Sequence, residues 1–161
     1  MKTTHKITTN LWFDGNAEQA AEHYISLIPD SRITQVARWG KGGPGPEGSV
    51  MTVAFELAGQ SFLALNGGPQ FKLTPAISLV VSCDTQREVD QLWARILEAG
   101  GKAGPCGWIE DQFGLSWQIV PARIVDLIGD PDPVKSGRVA QALMTMQKID
   151  IAALESAHAG R

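Results

Sequence analysis

An internal repeat is the feature that most constrains how this chain folds. Residues 7–66 and residues 76–121 carry the same order of predicted elements, namely a strand, a helix and three strands. When the second helix is shifted back by 69 residues, Val89 falls on Ala20 and the two apolar stripes come into phase. Because each copy is too small to close a hydrophobic core alone, we predict an α+β fold in which two βαβββ modules form a cupped mixed sheet.

Hydrophobic periodicity and turn residues place the individual elements. The first module is predicted to have a helix at 17–28, capped by Asn16, and strands at 7–13, 31–39, 49–57 and 60–66. The second is predicted to have a helix capped by Asp84 or Thr85 and strands at 76–82, within 102–108, around 109–112 and at 116–121. The Gly/Pro-rich segment 40–48 predicts a mobile loop.

The pattern changes to helices after Pro121. We therefore divide the chain into a region of paired modules, 1–121, and a helical C-terminal extension, 122–161. A helix is predicted at about 134–148, followed by a last turn through Leu154 that Asp150 caps. The first of these carries an apolar stripe formed by Val139, Ala142, Leu143 and Met146. Such a stripe packs against its own domain or against a partner subunit, and the sequence leaves both open.

Charge and composition exclude several classes of protein. Among 161 residues, 14 Lys and Arg oppose 17 Asp and Glu without any basic stripe, so we expect no nucleic-acid partner. No apolar run reaches the roughly 18 residues of a membrane span, and residues 1–10 lack an apolar secretory signal. We therefore expect a cytoplasmic protein without membrane contact. Cys83 and Cys106 form neither a CxxC pair nor a zinc ligand set, which predicts free thiols.

Alternation along the strands separates an apolar face from a mixed one. In the strand at 76–82, Leu79 and Val81 point to one side, and Ser78 and Val80 to the other. We expect the apolar face to meet a helix. If the sheet is curved, the mixed face lines a pocket; the alternative is that it meets water.

The first module is less clear on this point. In the strand at 60–66 we assign Leu63 to the apolar face and Phe62 and Asn66 to the mixed face, where Phe62, like Val80, favours a pocket. In the first strand, Asn10 and Trp12 share a face, but the pattern does not say which face it is.

Several motifs resemble a known superfamily. The run Asp-x-Phe-Gly-x-x-Trp at residues 111–117, within the repeated module order, resembles the vicinal oxygen chelate superfamily, which includes glyoxalase I, extradiol dioxygenases and bleomycin-resistance proteins. The segments 14–18, 65–69, 106–108 and 117–121 look like its PhnB-like branch, often called 3-demethylubiquinone-9 3-methyltransferase. The resemblance spans about residues 7–154.

The resemblance implies a metal site whose ligands this chain lacks. Metal-dependent members hold a divalent ion between His and Glu side chains from the first and last strands of each module. Gln118 stands where the metal-binding Glu would be, and an amide oxygen brings no charge to an ion. Segments 7–13 and 76–82 contain no His and no carboxylate, so we expect no bound catalytic metal.

No cofactor is expected either. A Rossmann-type methyl-donor site needs a glycine-rich turn between a buried strand and a helix. The most glycine-rich stretch, 40–46, is interrupted by prolines and followed by a strand. We therefore interpret the methyltransferase name as an inherited family label and not as an indication of that activity.

The candidates for chemistry are few. Glu110 and Asp111 lie close to Trp108, so one of them is a candidate for a partly buried acid or base; the alternative is that Asp111 organises the turn before Gly114. Trp39 and Trp108 either close over a flat ligand or belong to the core. No pairing of a nucleophile with a base emerges, so the catalytic residues, if there are any, are not identified.

Two classes of function remain open. One is a metal-free protein that binds a small, planar organic molecule in the sheet cup; the other is an enzyme of the same superfamily, a lyase, dioxygenase or methyltransferase. The resemblance also implies a homodimer. The residues expected to contact the ligand are Asn10, Trp12, Trp39, Phe62, Asn66, Ser78, Trp108, Asp111 and Gln118.

Overall fold

A computed structural model describes residues 6–161; residues 1–5, at the start of the paired-module region, lie outside the described part. The chain divides into two compact units, one ending at Leu73 and the other running from Thr74 to Arg161. The division falls between the two predicted modules, and the helical extension belongs to the second unit. None of the helices described in 6–161 is long and apolar enough to cross a membrane.

The first unit is a four-stranded mixed sheet with one helix. Its elements are β1 (Thr9–Phe13), α1 (Ala17–Leu27), β2 (Arg32–Arg38), β3 (Val50–Leu57) and β4 (Gln60–Asn66). The strand order is β1-β4-β3-β2, with β1 parallel to β4 and the other neighbours antiparallel. The predicted apolar stripe of α1 is buried, as the helical spacing of Ala20, Tyr24 and Leu27 requires.

The start of α1 is held by a residue that is distant in sequence. The predicted cap, Asn16, makes no capping hydrogen bond with its side chain. Instead, Asn66 at the end of β4 accepts a hydrogen bond from the Ala17 N–H at 2.9 Å and donates one to the Val50 carbonyl at 3.1 Å. This amide therefore ties the first turn of α1 to two strands, because the first N–H groups of a helix have no partner within it.

The second unit repeats this arrangement. Its elements are β5 (Ser78–Cys83), α2 (Gln86–Glu98), β6 (Lys102–Ala103), β7 (Trp108–Glu110) and β8 (Ser116–Pro121). The order is β5-β8-β7-β6, with β5 parallel to β8. Of the two predicted caps for α2, Thr85 is the one used, in a capping box with Glu88. The two βαβββ modules are thus confirmed, as two four-stranded sheets.

The extension folds on itself within the second unit. It contains α3 (Ile124–Ile128), α4 (Pro133–Leu143) and α5 (Ile151–Ala159). Val139 of the predicted stripe is fully buried in a cluster with residues of α3 and α5, and the other stripe residues pack against that cluster. The stripe therefore packs within its own domain. A contribution of its partly buried residues to a partner contact stays a prediction.

Helix α4 ends five residues earlier than the predicted Lys148. The chain leaves the helix and runs beside the loop between β6 and β7, where it supplies two hydrogen-bond acceptors. The Cys106 N–H donates to the Met146 carbonyl at 2.8 Å, and the Gly107 N–H donates to the Gln147 carbonyl at 2.7 Å. These bonds join the extension to the β6–β7 loop.

One side chain of α2 also holds the extension. The Gln86 amide nitrogen donates to the Ile149 carbonyl at 3.0 Å, and its amide oxygen accepts from the Ile151 N–H at 2.8 Å. Both amide atoms are used, so a single glutamine bridges α2 to the first turn of α5.

We predict that Gln86→Ala lowers the free energy of unfolding by about 1–3 kcal/mol, since it leaves an N–H and a carbonyl without their partner. Urea denaturation followed by far-UV circular dichroism measures this. The matched control is Gln112→Ala at an exposed position, which should change stability by less than about 0.5 kcal/mol. Equal effects of the two substitutions would contradict the bridging role of Gln86.

Candidate functional site

The strand pairing of the second unit places a mixed set of side chains on the face opposite α2. Val80, Gln118 and Trp108 lie side by side in one row across β5, β8 and β7. Ser78, Ser116 and Glu110 form the next row. The predicted separation of faces in β5 and β8 is confirmed, because Trp117 and Ile119 are buried on the α2 side. We call Ser78, Val80, Trp108, Glu110, Ser116 and Gln118 the far face.

A hydrogen bond across two strands organises the polar part of the far face. The Gln118 amide nitrogen donates to the Ser78 hydroxyl oxygen at 2.9 Å. The pair still offers an amide oxygen as acceptor and a hydroxyl hydrogen as donor. Trp108 is half-buried in the strand beside Gln118. An apolar ring surface therefore lies next to a polar pair.

A groove of about 440 Å³ runs along the β6–β7 edge of the same unit. Trp108, Glu110 and Ser116 of the far face belong to its walls, together with Pro75 and Lys102. Lys102 and Glu110 form an exposed ion pair at 3.8 Å. The volume is in the range that holds a small organic molecule.

Asp111 organises a turn, which was one of its two predicted roles. Its carboxylate accepts hydrogen bonds from the Phe113 and Leu115 N–H groups at 2.8 and 3.0 Å and from the Trp117 indole at 2.8 Å. The side chain is 3% exposed, and Gly114 in the turn has a positive φ of 88°. The Asp-x-Phe-Gly-x-x-Trp motif thus has a structural role, because it fixes the turn between β7 and β8.

The structure answers the open question about the first strand. Leu11 and Phe13 are buried on the α1 side, so Asn10 and Trp12 lie on the opposite face of β1. The Trp12 indole donates to the Gly68 carbonyl at 2.8 Å and packs so closely on Gly67 that a Cβ there would collide with the ring. Trp12 therefore anchors the loop after β4.

The predicted face of Phe62 is wrong. Phe62 is 4% exposed, and its ring stacks on Phe55 at 5.4 Å, on the α1 side of the sheet. Asn66 shares that side, where it holds the start of α1. Strand β4 carries apolar residues on both sides, so alternation alone did not identify the side that α1 covers.

Trp39 is covered by its own loop. The segment 40–48 folds onto the indole, and Gly43 and Gly45 lie where any Cβ would overlap the ring. Two hydrogen bonds close the loop, from the Trp39 N–H to the Ser49 carbonyl at 2.9 Å and from the Gly48 N–H to the Trp39 carbonyl at 2.8 Å. The segment 40–48, predicted to be a loop, thus packs against this tryptophan.

Of the predicted contact residues, three come together: Ser78, Trp108 and Gln118. Lys102 and Ser116 were missed, and Glu110 was considered only as an acid or base. Lys102, Glu110 and Ser116 lie together because of the register in which β6, β7 and β8 pair. The sequences of such short strands do not predict that register.

The donor groups do not match the metal site of the metal-dependent relatives. Within residues 6–161, no three His, Cys, Asp or Glu side chains gather in a way that could hold an ion. Strands β5 and β8 contain neither His nor a carboxylate, and the Gln118 amide is paired with Ser78.

Comparisons with known proteins agree with this architecture. The family model for 3-demethylubiquinone-9 3-methyltransferase matches residues 5–120, so the three helices of the extension lie beyond it. A solved PhnB protein from Bacillus cereus, provisionally described as such a methyltransferase, is 36% identical with a TM-score of 0.66; the match covers 73% of this chain and 100% of that one. A search of the curated proteins found no match.

More distant structures share the fold alone. Protein PA1353 from Pseudomonas aeruginosa is 19% identical with a TM-score of 0.60, over 73% of this chain and 98% of that one. The fosfomycin resistance protein FosX from Listeria monocytogenes is 15% identical with a TM-score of 0.50, over 74% and 93%. The fold is that of the vicinal oxygen chelate superfamily. Within it, the chain belongs to the 3-demethylubiquinone-9 3-methyltransferase family, the PhnB-like branch.

We predict that two asparagines expected to contact ligand behave differently. Asn66→Ala should lower the free energy of unfolding by about 1–3 kcal/mol, because α1 loses its cap and the Val50 carbonyl loses its donor. Asn10→Ala, at an exposed position, should change it by less than about 0.5 kcal/mol. Thermal and urea denaturation of both variants measure the difference, and a neutral Asn66→Ala would disprove the capping role.

Proposed function

We propose that this protein binds a small, planar organic molecule at the far face of the second unit. One observation carries the proposal: the Gln118–Ser78 hydrogen bond lies in register with Trp108, beside a groove of about 440 Å³. The ring of Trp108 offers a stacking surface, and such aromatic contacts contribute about 0.5–1.5 kcal/mol beyond the area they bury. Gln118 and Ser78 supply the directional hydrogen bonds that orient the ligand.

The chemistry of the far face favours binding over covalent catalysis. A serine becomes a nucleophile when a neighbouring base takes its proton. The neighbour of Ser78 is an amide nitrogen, which donates a hydrogen and cannot accept that proton. Glu110, the carboxylate of the far face, is paired with Lys102. An enzyme acting on a small organic substrate is the alternative that the following experiment tests.

We predict that a panel of hydroxylated benzoates and naphthoates, screened by thermal shift, contains compounds that bind and quench tryptophan fluorescence. Trp108→Leu and Gln118→Ala should each weaken that binding about tenfold, the equivalent of about 1.4 kcal/mol. Gln35→Ala, at an exposed position in the first unit that is not among the expected contacts, is the control and should leave the affinity unchanged. Mass spectrometry should recover the bound compound unaltered.

Three results would contradict this proposal. The first is that no compound of the panel binds. The second is that Trp108→Leu and Gln118→Ala bind as tightly as the parent protein. The third favours the enzyme: stoichiometric divalent metal that Gln118→Ala removes, or conversion of a bound compound into a product.

We further propose that two copies of the chain associate, on the strength of the family resemblance. Val139 is buried within its own unit and is not available to such a contact, whereas Ala142, Leu143 and Met146 are only partly buried. Light scattering coupled to gel filtration should give twice the chain mass of 17.3 kDa. A single chain mass over the micromolar range would reject the dimer.

A further inference from the structure

Two sulfur atoms from distant parts of the chain meet beside the extension. The Cys106 Sγ lies 3.8 Å from the Met144 Sδ and 3.5 Å from the Leu143 carbonyl oxygen. Cys106 belongs to the loop between β6 and β7, and Met144 follows the last residue of α4. The contact therefore exists only because the extension packs against this loop.

The position of Cys106 is set by its backbone. Its φ of 55° lies in the left-handed region, which costs a residue with a Cβ roughly 1–2 kcal/mol. The hydrogen bonds from the Cys106 and Gly107 N–H groups to the Met146 and Gln147 carbonyls hold it there. The thiol is thus directed at the segment that carries the second sulfur before any ligand arrives.

We propose that Cys106 and Met144 form a binding site for a soft monovalent cation, Cu(I). Thiolate and thioether sulfur are the ligands that select Cu(I). For a metal–sulfur bond of about 2.3 Å, two sulfurs 3.8 Å apart subtend about 110° at the ion, which leaves space for a third donor. On binding, the Cys106 thiol gives up its proton to solvent.

Access to this site does not require unfolding. Met144 is 73% exposed, and Cys106 is half-buried. The other cysteine is less accessible: Cys83 is buried, and burial, reinforced by Glu88 and Asp84, raises the pKa of its thiol to about 11. Cys83 therefore supplies an internal control for thiol chemistry that does not depend on the sulfur pair.

The test is an anaerobic Cu(I) titration of the full chain in competition with bicinchoninate. We expect one equivalent of Cu(I) to bind to the parent protein and to Cys83→Ser with the same affinity. Cys106→Ser should abolish binding, and Met144→Leu should weaken it at least tenfold. Since Met144 is exposed and leucine is close to it in volume, Met144→Leu should retain the far-UV circular dichroism of the parent.

Three outcomes would overturn the proposal. Met144→Leu could bind Cu(I) as tightly as the parent, which would show that the Cys106 thiol binds the ion without the Met144 sulfur. Cys83→Ser could fail to bind one equivalent of Cu(I), which would show that the ion binds at Cys83. Zn(II) could compete at equal concentration, which would show that the site does not select a soft ion.

Discussion

The covering of one face of each four-stranded sheet by a single helix is the constraint on which the rest of this structure depends. A strand sends alternate side chains to opposite faces, so the residues that α1 and α2 bury determine which ones point the other way. In the second unit, burial of Trp117 and Ile119 leaves Ser116 and Gln118 on the face opposite the helix. The candidate site is thus a consequence of packing on the other side of the same strand.

Two of the motifs that carry the family resemblance support the fold rather than chemistry. Asp111 uses its carboxylate to fix a turn and an indole. In the segment 65–69, Asn66 holds the start of α1, and Gly67 allows Trp12 to lie against the backbone. A match to the family at these residues therefore reflects a shared fold and does not identify a ligand.

The repeat, the helices and most strands could be predicted because they depend on local periodicity. Capping of α1 by Asn66 could not, because the acceptor and the N–H it serves are 49 residues apart. The prediction of the face of Phe62 was wrong for another reason. Strand β4 carries apolar residues on both faces, so the alternation of polar and apolar residues does not distinguish them. In the candidate site, alternation placed Ser78 and Gln118 on the mixed face and residue type singled out Trp108, whereas the position of Lys102 opposite Glu110 depends on the register of two very short strands.

The bridge made by Gln86 has a consequence for the stability of the extension. Residues 122–161 lie beyond the region shared with the family, yet their backbone is bonded to a helix inside it. An appendage bonded in this way draws part of its stability from the module that carries it. In a chain without the appendage, the amide of Gln86 would lose both of these backbone partners.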